Sequence, residues 1–547
     1  MRLKDLLSLG LAPGGATPQR QPLPGMVRND AGGYGYPVTD SVLFDRFLLL
    51  GTESGTFYVN PVALTVDAAR ATMRVIDADG RAAVDRIVAV SEGGRSARPD
   101  SAILALAMAT SAEDPATRKA ALLALPRVAR TGTHLFQFAD AVQGLRGWGR
   151  SLRRAVAGWY LDQPLDRLTY QAIKYRQRDG WSHRDLLRLA HPVVPAADTG
   201  RRALFDAILR GVRDPDLLPA DLSQLAAASR LAGVTDPVTA AALIQGHRLP
   251  REAVPTELLR QPAVWRALLA DMPVTALIRN LAKLSQVGVL TPMDGSVDKV
   301  LAVLNDRDHL HRARIHPAAL LIAARTYAGG HGLRGRLTWE PVQAVVDALD
   351  GAFYQAFANV PATGKRVYLG VDVSASMGQL LPGQSLTAAE AAAAMALVVA
   401  HTESRWVIKG FAGGYYDRQG IVRSEMRDLG ISPRDRLPTV LEKTRGHTFG
   451  VTDAALPIVD ALRSGLAVDA FVILTDGDTW IGDIHPMQAL REYRARTGIP
   501  AKLVQMAFAA NRISIADPSD AGTLDIVGFD ANAPRLLADF IGGGSTL

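Results

Sequence analysis

Asp372, Ser374 and Ser376 form a D-x-S-x-S pattern at the end of the apolar run 366–374 (RVYLGVDVS). One carboxylate and two hydroxyls from a single tight loop are hard oxygen ligands, suited to an octahedral cation such as Mg²⁺ that keeps some of its waters. Two further groups belong to the same chemistry. Thr452, in Phe449-Gly450-Val451-Thr452-Asp453, opens a predicted helix, and Asp476 ends another β-rich run in Leu474-Thr475-Asp476-Gly477. If the runs lie side by side in a sheet, both reach the crevice beyond the strand ends, where such sheets bind ligands. The competing reading is that Asp372 and the serines cap the following helix and that Asp476 is a turn carboxylate.

A second constellation suits polyanions. Lys174, Arg176, Arg178, His183, Arg184, Arg188 and His191 fall within 18 residues, with Tyr175 and Trp181 between them. Such a stretch offers phosphate donors and stacking planes together. On a helix 185–191, Arg184, Arg188 and His191 recur at i, i+4 and i+7 and share a face, while Leu186, Leu187 and Leu189 mostly point elsewhere. Any one of these arginines, taken alone, reads first as a solvated helix face, and His191 before Pro192 reads equally as a helix-end residue. Arg150, Arg153 and Arg154 make a second strip on a helix with Trp148 and Trp159, where Trp159-Tyr160 reads as core; Arg279 is a weaker candidate.

Two kinds of element must position these groups. From about Asp40 to Ala356 the chain is a succession of short amphipathic segments, such as 101–112, 116–130 and 318–328, broken by Pro, Gly or Asp. This predicts an all-helical array of stacked pairs of the HEAT type. After Pro361-Ala362-Thr363-Gly364-Lys365 strands (366–374, 406–412, 469–477, 501–509) alternate with helices (386–403, 455–465, 486–498, 533–542), which predicts a mostly parallel, doubly wound α/β sheet. The expected domains are a loose leader at 1–30, a helical domain at 31–362 and the α/β domain at 363–547.

Composition narrows the function. The 547 residues are 48% hydrophobic and contain no cysteine, which excludes disulfides, thiolate metal sites and cysteine nucleophiles and suits a reducing compartment. No apolar run spans a membrane and the opening does not read as a signal peptide, so a cytoplasmic protein is expected. The net charge of +7 is unevenly spread. From Lys365 onward there are 18 Lys+Arg against 20 Asp+Glu, leaving 43 against 34 before it, so the basic excess belongs to the helical part. Phosphate-binding glycine loops, H-E-x-x-H and G-x-S-x-G are absent, and Asp476 and Asp478 alternate along a strand end, so no catalytic residue is expected.

The oxygen-ligand set resembles the metal-ion-dependent adhesion site of von Willebrand factor A domains. With the helical array, the whole chain resembles the Ro ribonucleoprotein autoantigen family, which joins a TROVE module to such a domain. The stretches carrying the likeness are 47–58, 147–155, 174–191, 272–281, 313–317, 329–335, 364–377, 484–493 and 515–529. One departure is Val451, where the family usually has the second glycine of Gly-Gly-Thr-Asp. The resemblance implies a ring of helices closed beside the A domain, with a basic hole. It implies binding of small Y RNAs and of single-stranded 3′ ends of misfolded or precursor RNAs, rRNA included, alongside an exoribonuclease. A monomer with no membrane or DNA role is expected, and the heavy use of Ala, Arg and Gly suggests a bacterial member. A rival reading from another class is a metal-dependent protein-adhesion module on a helical scaffold with no direct RNA role.

Overall fold

The computed structural model describes residues 17–28, 33–50, 61–93, 99–332, 336–381, 384–411, 415–416, 422–423, 425–444, 452–476, 482–508, 513–529 and 533–542. Its contacts divide the chain into two compact units. One holds Thr72–Ala313 and Tyr327–Leu349; the other holds the described residues up to Ala71, Arg314–Thr326, and those from Asp350 onward.

The first unit is the expected helical array. Helix Gly80–Glu92 packs on Pro115–Val128, and Pro99–Ala109 on Gly132–Leu145, so these helices lie against the next but one, and Pro99–Ala109 lies against both of its sequence neighbours as well. The breaks that punctuate the sequence are caps. Asp114 accepts from the amides of Ala116 and Thr117 with Pro115 at the first helical position, and Asp236 caps the helix that starts at Pro237 in the same way. Leu106, Leu125, Leu135, Phe136 and Phe138 are buried along these helices, which is the apolar stripe each hides on its neighbour.

The second unit is built on a six-stranded sheet in the order Thr523–Val527, Lys502–Ala507, Ala470–Thr475, Arg366–Asp372, Arg405–Phe411, Met426–Asp428. Every neighbouring pair is parallel except the last. The first strand, Arg366–Asp372, sits centrally. The chain adds Arg405–Phe411 on one side and Ala470–Thr475 on the other, so the strand order reverses between Asp372 and Thr475. That reversal opens the crevice where open α/β sheets bind ligands. Val472, Ile473 and Leu474 are fully buried, and helix Ala388–Thr402 is small enough in its alanines to be buried on nearly every face. Strand Thr523–Val527 and helix Leu437–Thr444 were not expected from the sequence; both are short and lack a clean period.

The leader is a correction. Residues 17–28 are packed against the sheet unit. The backbone amide of Gln19 donates to Gly482 O at 2.9 Å, and its buried side chain donates to Asp453 Oδ1 at 2.8 Å and Ile484 O at 2.9 Å. Val27–Arg28 pairs with Tyr34–Pro37, which pairs with Ile513–Ser514, and Tyr36 joins the hydrophobic core beneath. Prolines without apolar period read as loose chain because these partners lie more than 400 positions away. Residues 1–16 lie outside the described residues. Among the described residues no helix is long and apolar enough to cross a membrane.

Candidate functional site

The basic cluster is built on a hairpin and a short helix. Gln177–Arg178 pairs antiparallel with Trp181–Ser182, and the turn between them is Asp179-Gly180, with φ +50° and +79°. Two left-handed residues, the second a glycine, match the twist of a two-residue hairpin. Ser182 then caps helix His183–Ala190 through a box with Asp185: the Asp185 amide donates to Ser182 Oγ at 3.3 Å, and the Ser182 amide to Asp185 Oδ2 at 3.0 Å. His191 closes the helix in the left-handed conformation, φ +45°, ahead of Pro192.

This scaffold exposes Arg176, Arg178, Arg184, Arg188 and His191, while Leu186 and Leu187 are buried, so the face expected from the i, i+4, i+7 spacing is present. Lys174 is half-buried at the end of the preceding helix, its Nζ 5.3 Å from the Tyr170 ring and 5.4 Å from the Tyr175 ring. Trp181 is half-buried and lies against Trp148, ring centroids 5.5 Å apart and planes tilted by 46°. Arg150, Arg153 and Arg154 are exposed on helix Arg150–Leu161, which packs on helix His183–Ala190. Trp148 stands two residues before that helix instead of on it, and Trp159 and Tyr160 are core, as expected. Arg279 is exposed on a separate helix, Val274–Gln286. On that helix burial, then the charges of Arg251 and Arg260, lower the pKa of Lys283.

His183 departs from expectation. It is 3% exposed, and the Tyr160 hydroxyl lies 2.7 Å from its Nδ1. Phe136 meets its ring edge-on with centroids 4.7 Å apart. Burial pushes its pKa down to about 4. A neutral ring locked in the core presents no charge to a phosphate, so His183 leaves the proposed contact set and becomes the residue that seats the hairpin–helix junction. Composition alone could not separate it from Arg184 one position on; the first helical position after Ser182 faces inward.

At the strand ends of the sheet unit, Asp372 is 2% exposed. Its Oδ1 accepts from the Ser374 amide at 2.9 Å and its Oδ2 from Thr475 Oγ1 at 3.0 Å. Ser374 Oγ and Ser376 Oγ are 2.9 Å apart. Adjacent ligand oxygens of an octahedral ion with bonds near 2.1 Å lie about 3.0 Å apart, so the serine spacing suits Mg²⁺. Burial, and then the charge of Asp476, push the Asp372 carboxyl up to about 7. Two carboxylates that repel each other in a buried crevice are what a bound cation would relieve. Thr475, absent from the expected set, is the hydroxyl that fixes Asp372, and its signal was its place beside Asp476. Thr452 is buried four residues before helix Leu456–Arg463 instead of opening it. Its neighbour Asp453 is held by Gln19 and by the Ala455 amide at 3.0 Å. Val451, Gly477 and Asp478 lie outside the described residues. Among the described residues no three His, Asp or Glu side chains converge to hold a metal, so a cation bound here would draw on the hydroxyls as well.

Comparison with known proteins places both halves. The TROVE domain family matches residues 27–214 and 216–365, and the Ro60 vWA domain family matches residues 366–541. The chain belongs to the Ro family. It is 42% identical over 521 residues to the RNA-binding protein RO60 of Deinococcus radiodurans, covering 94% of this chain and 95% of that protein. It is 34% identical over 594 residues to the RNA-binding protein RO60 of Caenorhabditis elegans, covering 95% of this chain and 90% of that one. The crystal structure of the Deinococcus radiodurans RO (RSR) protein superposes with a TM-score of 0.78 at 41% identity, over 92% of this chain and all of that one. This Ro chain therefore has the expected fold class, a helical TROVE region followed by a von Willebrand A domain on a parallel-rich sheet.

Proposed function

We propose that this Ro-family chain binds RNA through the hairpin–helix strip, with Lys174, Arg176, Arg178, Arg184, Arg188 and His191 on phosphates and Trp148 and Trp181 as a stacking surface. The observation that carries the reading is the exposure of five cationic or titratable side chains on one short scaffold whose apolar residues are buried. Guanidinium groups pair with phosphate oxygens by paired hydrogen bonds, and each contact releases counterions, so binding is salt-sensitive and sequence-tolerant. Arg150 and Arg153 extend the same surface onto the helix it packs against, whereas Arg154 lines a neighbouring groove; Arg279 offers a further contact elsewhere in the helical unit. The relatives' description as RNA-binding proteins supports the same class of ligand.

The finer reading follows the family. The helices form a closed ring; a Y RNA is held on the strip; single-stranded 3′ ends of misfolded or precursor RNA, rRNA among them, enter the ring for an exoribonuclease partner to trim. The chain acts in the cytoplasm as a monomer, presents RNA without cutting it, and has no DNA or membrane role. Asp372, Ser374, Ser376, Thr452 and Asp476 hold a divalent cation, with Mg²⁺ the best fit; bound there, it supplies an open coordination position for an acidic group of a partner. Sequencing the RNA that copurifies with the chain from its native cells tests the reading: small structured RNAs and rRNA precursors are expected, and protein free of nucleic acid would favour the adhesion reading.

A further inference from the structure

Helices Pro115–Val128 and Arg150–Leu161 pack on each other and border a groove of about 610 Å³. Its lining is charged in one sense: Arg118, Lys119, Arg146 and Arg154 face a single carboxylate, Asp162. Asp114, nearby, is spent on capping the Ala116 and Thr117 amides. Two of the cations are fixed in advance. Arg118 Nη1 donates to Ala112 O at 2.8 Å and Glu113 O at 2.6 Å, and Arg146 Nη1 donates to Thr110 O. Arg146 Nη2 also lies 3.7 Å from where a Cβ on Gly149 would sit. Gly149 gives helix Arg150–Leu161 no side-chain cap, and with Ser151 of its first turn in the lining the positive end of the helix dipole adds to the charge.

The rest of the lining is aliphatic. Leu122, Leu123 and Pro126 contribute to it, and Leu123 is 69% exposed on a helix whose other large aliphatics are buried or half-buried. The groove's one aromatic ring, Trp159, is 2% exposed with its indole N–H donated to Ala129 O at 2.6 Å, so it offers no free face to a base. The groove therefore lacks the base platform a single strand stacks on, whereas carboxylates paired with anchored guanidiniums and leucine-sized side chains on a bare aliphatic floor are well matched. We propose that this groove docks an acidic peptide segment bearing aliphatic side chains, contributed by a partner protein, on a surface distinct from the RNA strip.

The test selects a displayed random peptide library on the full chain. Selected peptides are then measured by fluorescence anisotropy against wild type and the double variant Lys119→Ala/Leu123→Ser. Both positions are exposed, so the fold is undisturbed, and labelled oligouridylate serves as the RNA probe. The proposal expects enrichment of sequences rich in Asp or Glu with interspersed Leu or Ile. It expects their affinity to fall by about tenfold or more in the double variant, and oligouridylate affinity to stay within about twofold. Peptides without acidic residues, equal binding by wild type and variant, or displacement of the peptides by oligouridylate would each overturn it.

Discussion

Protonation of His183 sets a limit on the acid stability of the hairpin–helix junction. Its ring is enclosed by Phe136, Trp159 and Tyr160, and its Nδ1 shares a hydrogen bond with the Tyr160 hydroxyl, which burial keeps as a phenol. The ordinary histidine value is 6.5 and the folded value is about 4, with burial as the first cause. Because the folded value lies below the unfolded one, this contribution to stability is complete above the unfolded pKa and is lost as pH falls through the folded one. The shift is worth about 3 kcal/mol, a large share of a typical domain's margin of about 5–15 kcal/mol. Burial pushes His134 down to about 4 and His316 to about 3 as well, so His183→Gln, which cannot titrate, isolates the one term. Urea unfolding followed by tryptophan fluorescence, with Trp159 stacked near the ring, should find the variant less stable by about 1–2 kcal/mol near neutral pH from imperfect packing and hydrogen bonding. As pH falls toward 4 the difference should swing by about 3 kcal/mol, leaving the variant more stable by about 1–2 kcal/mol. A difference between wild type and variant that stays flat over this range would refute the assignment of His183 to the core.

The remaining predictions concern the strap, the hairpin and the metal. Gln19→Ala removes two buried side-chain hydrogen bonds, one to a carboxylate, and should cost about 2–4 kcal/mol in thermal or urea unfolding of the sheet unit; an unchanged midpoint would return residues 17–28 to the status of loose leader. Gly180→Ala meets open space but must hold φ +79°, so about 1 kcal/mol is expected from the backbone alone. Gly132→Ala should cost more, about 2–3 kcal/mol, because its Cβ would sit 2.9 Å from both His183 Nε2 and Tyr175 Cβ; calorimetry on the pair separates conformational from steric cost. Asp372→Asn should weaken Mn²⁺ or Mg²⁺ binding by calorimetry about tenfold or more while RNA affinity stays within about twofold; equal metal affinity would remove Asp372 from the ligand set.

Where a feature rests on local pattern, the residues announced it. Alternating apolar runs placed the central strands to within a residue or two, because both faces of a parallel sheet are buried and leave unbroken Val, Ile and Leu. The helix carrying Arg184 and Arg188 was legible from period alone. What was not legible depends on distant partners. Gln19 is an unremarkable residue among prolines until Asp453 is beside it, and Thr475 is one strand residue among several until the register sets it against Asp372. His183 looked like one more member of a cationic run, since a sequence shows neighbours but not which way the first helical residue turns. Strand Thr523–Val527, with Asp525 in its middle, escaped notice because its carboxylate interrupts the apolar pattern while Arg46, far away in the chain, pairs with it.

The central claim is that the hairpin–helix strip carries the RNA, and the salt dependence of oligouridylate and small structured RNA affinity for wild type and Arg184→Ala/Arg188→Ala addresses it most directly. The account predicts weaker binding across sequences and a log–log salt slope shallower by about one for each phosphate contact removed. Affinity and slope equal to wild type in the double variant would contradict it.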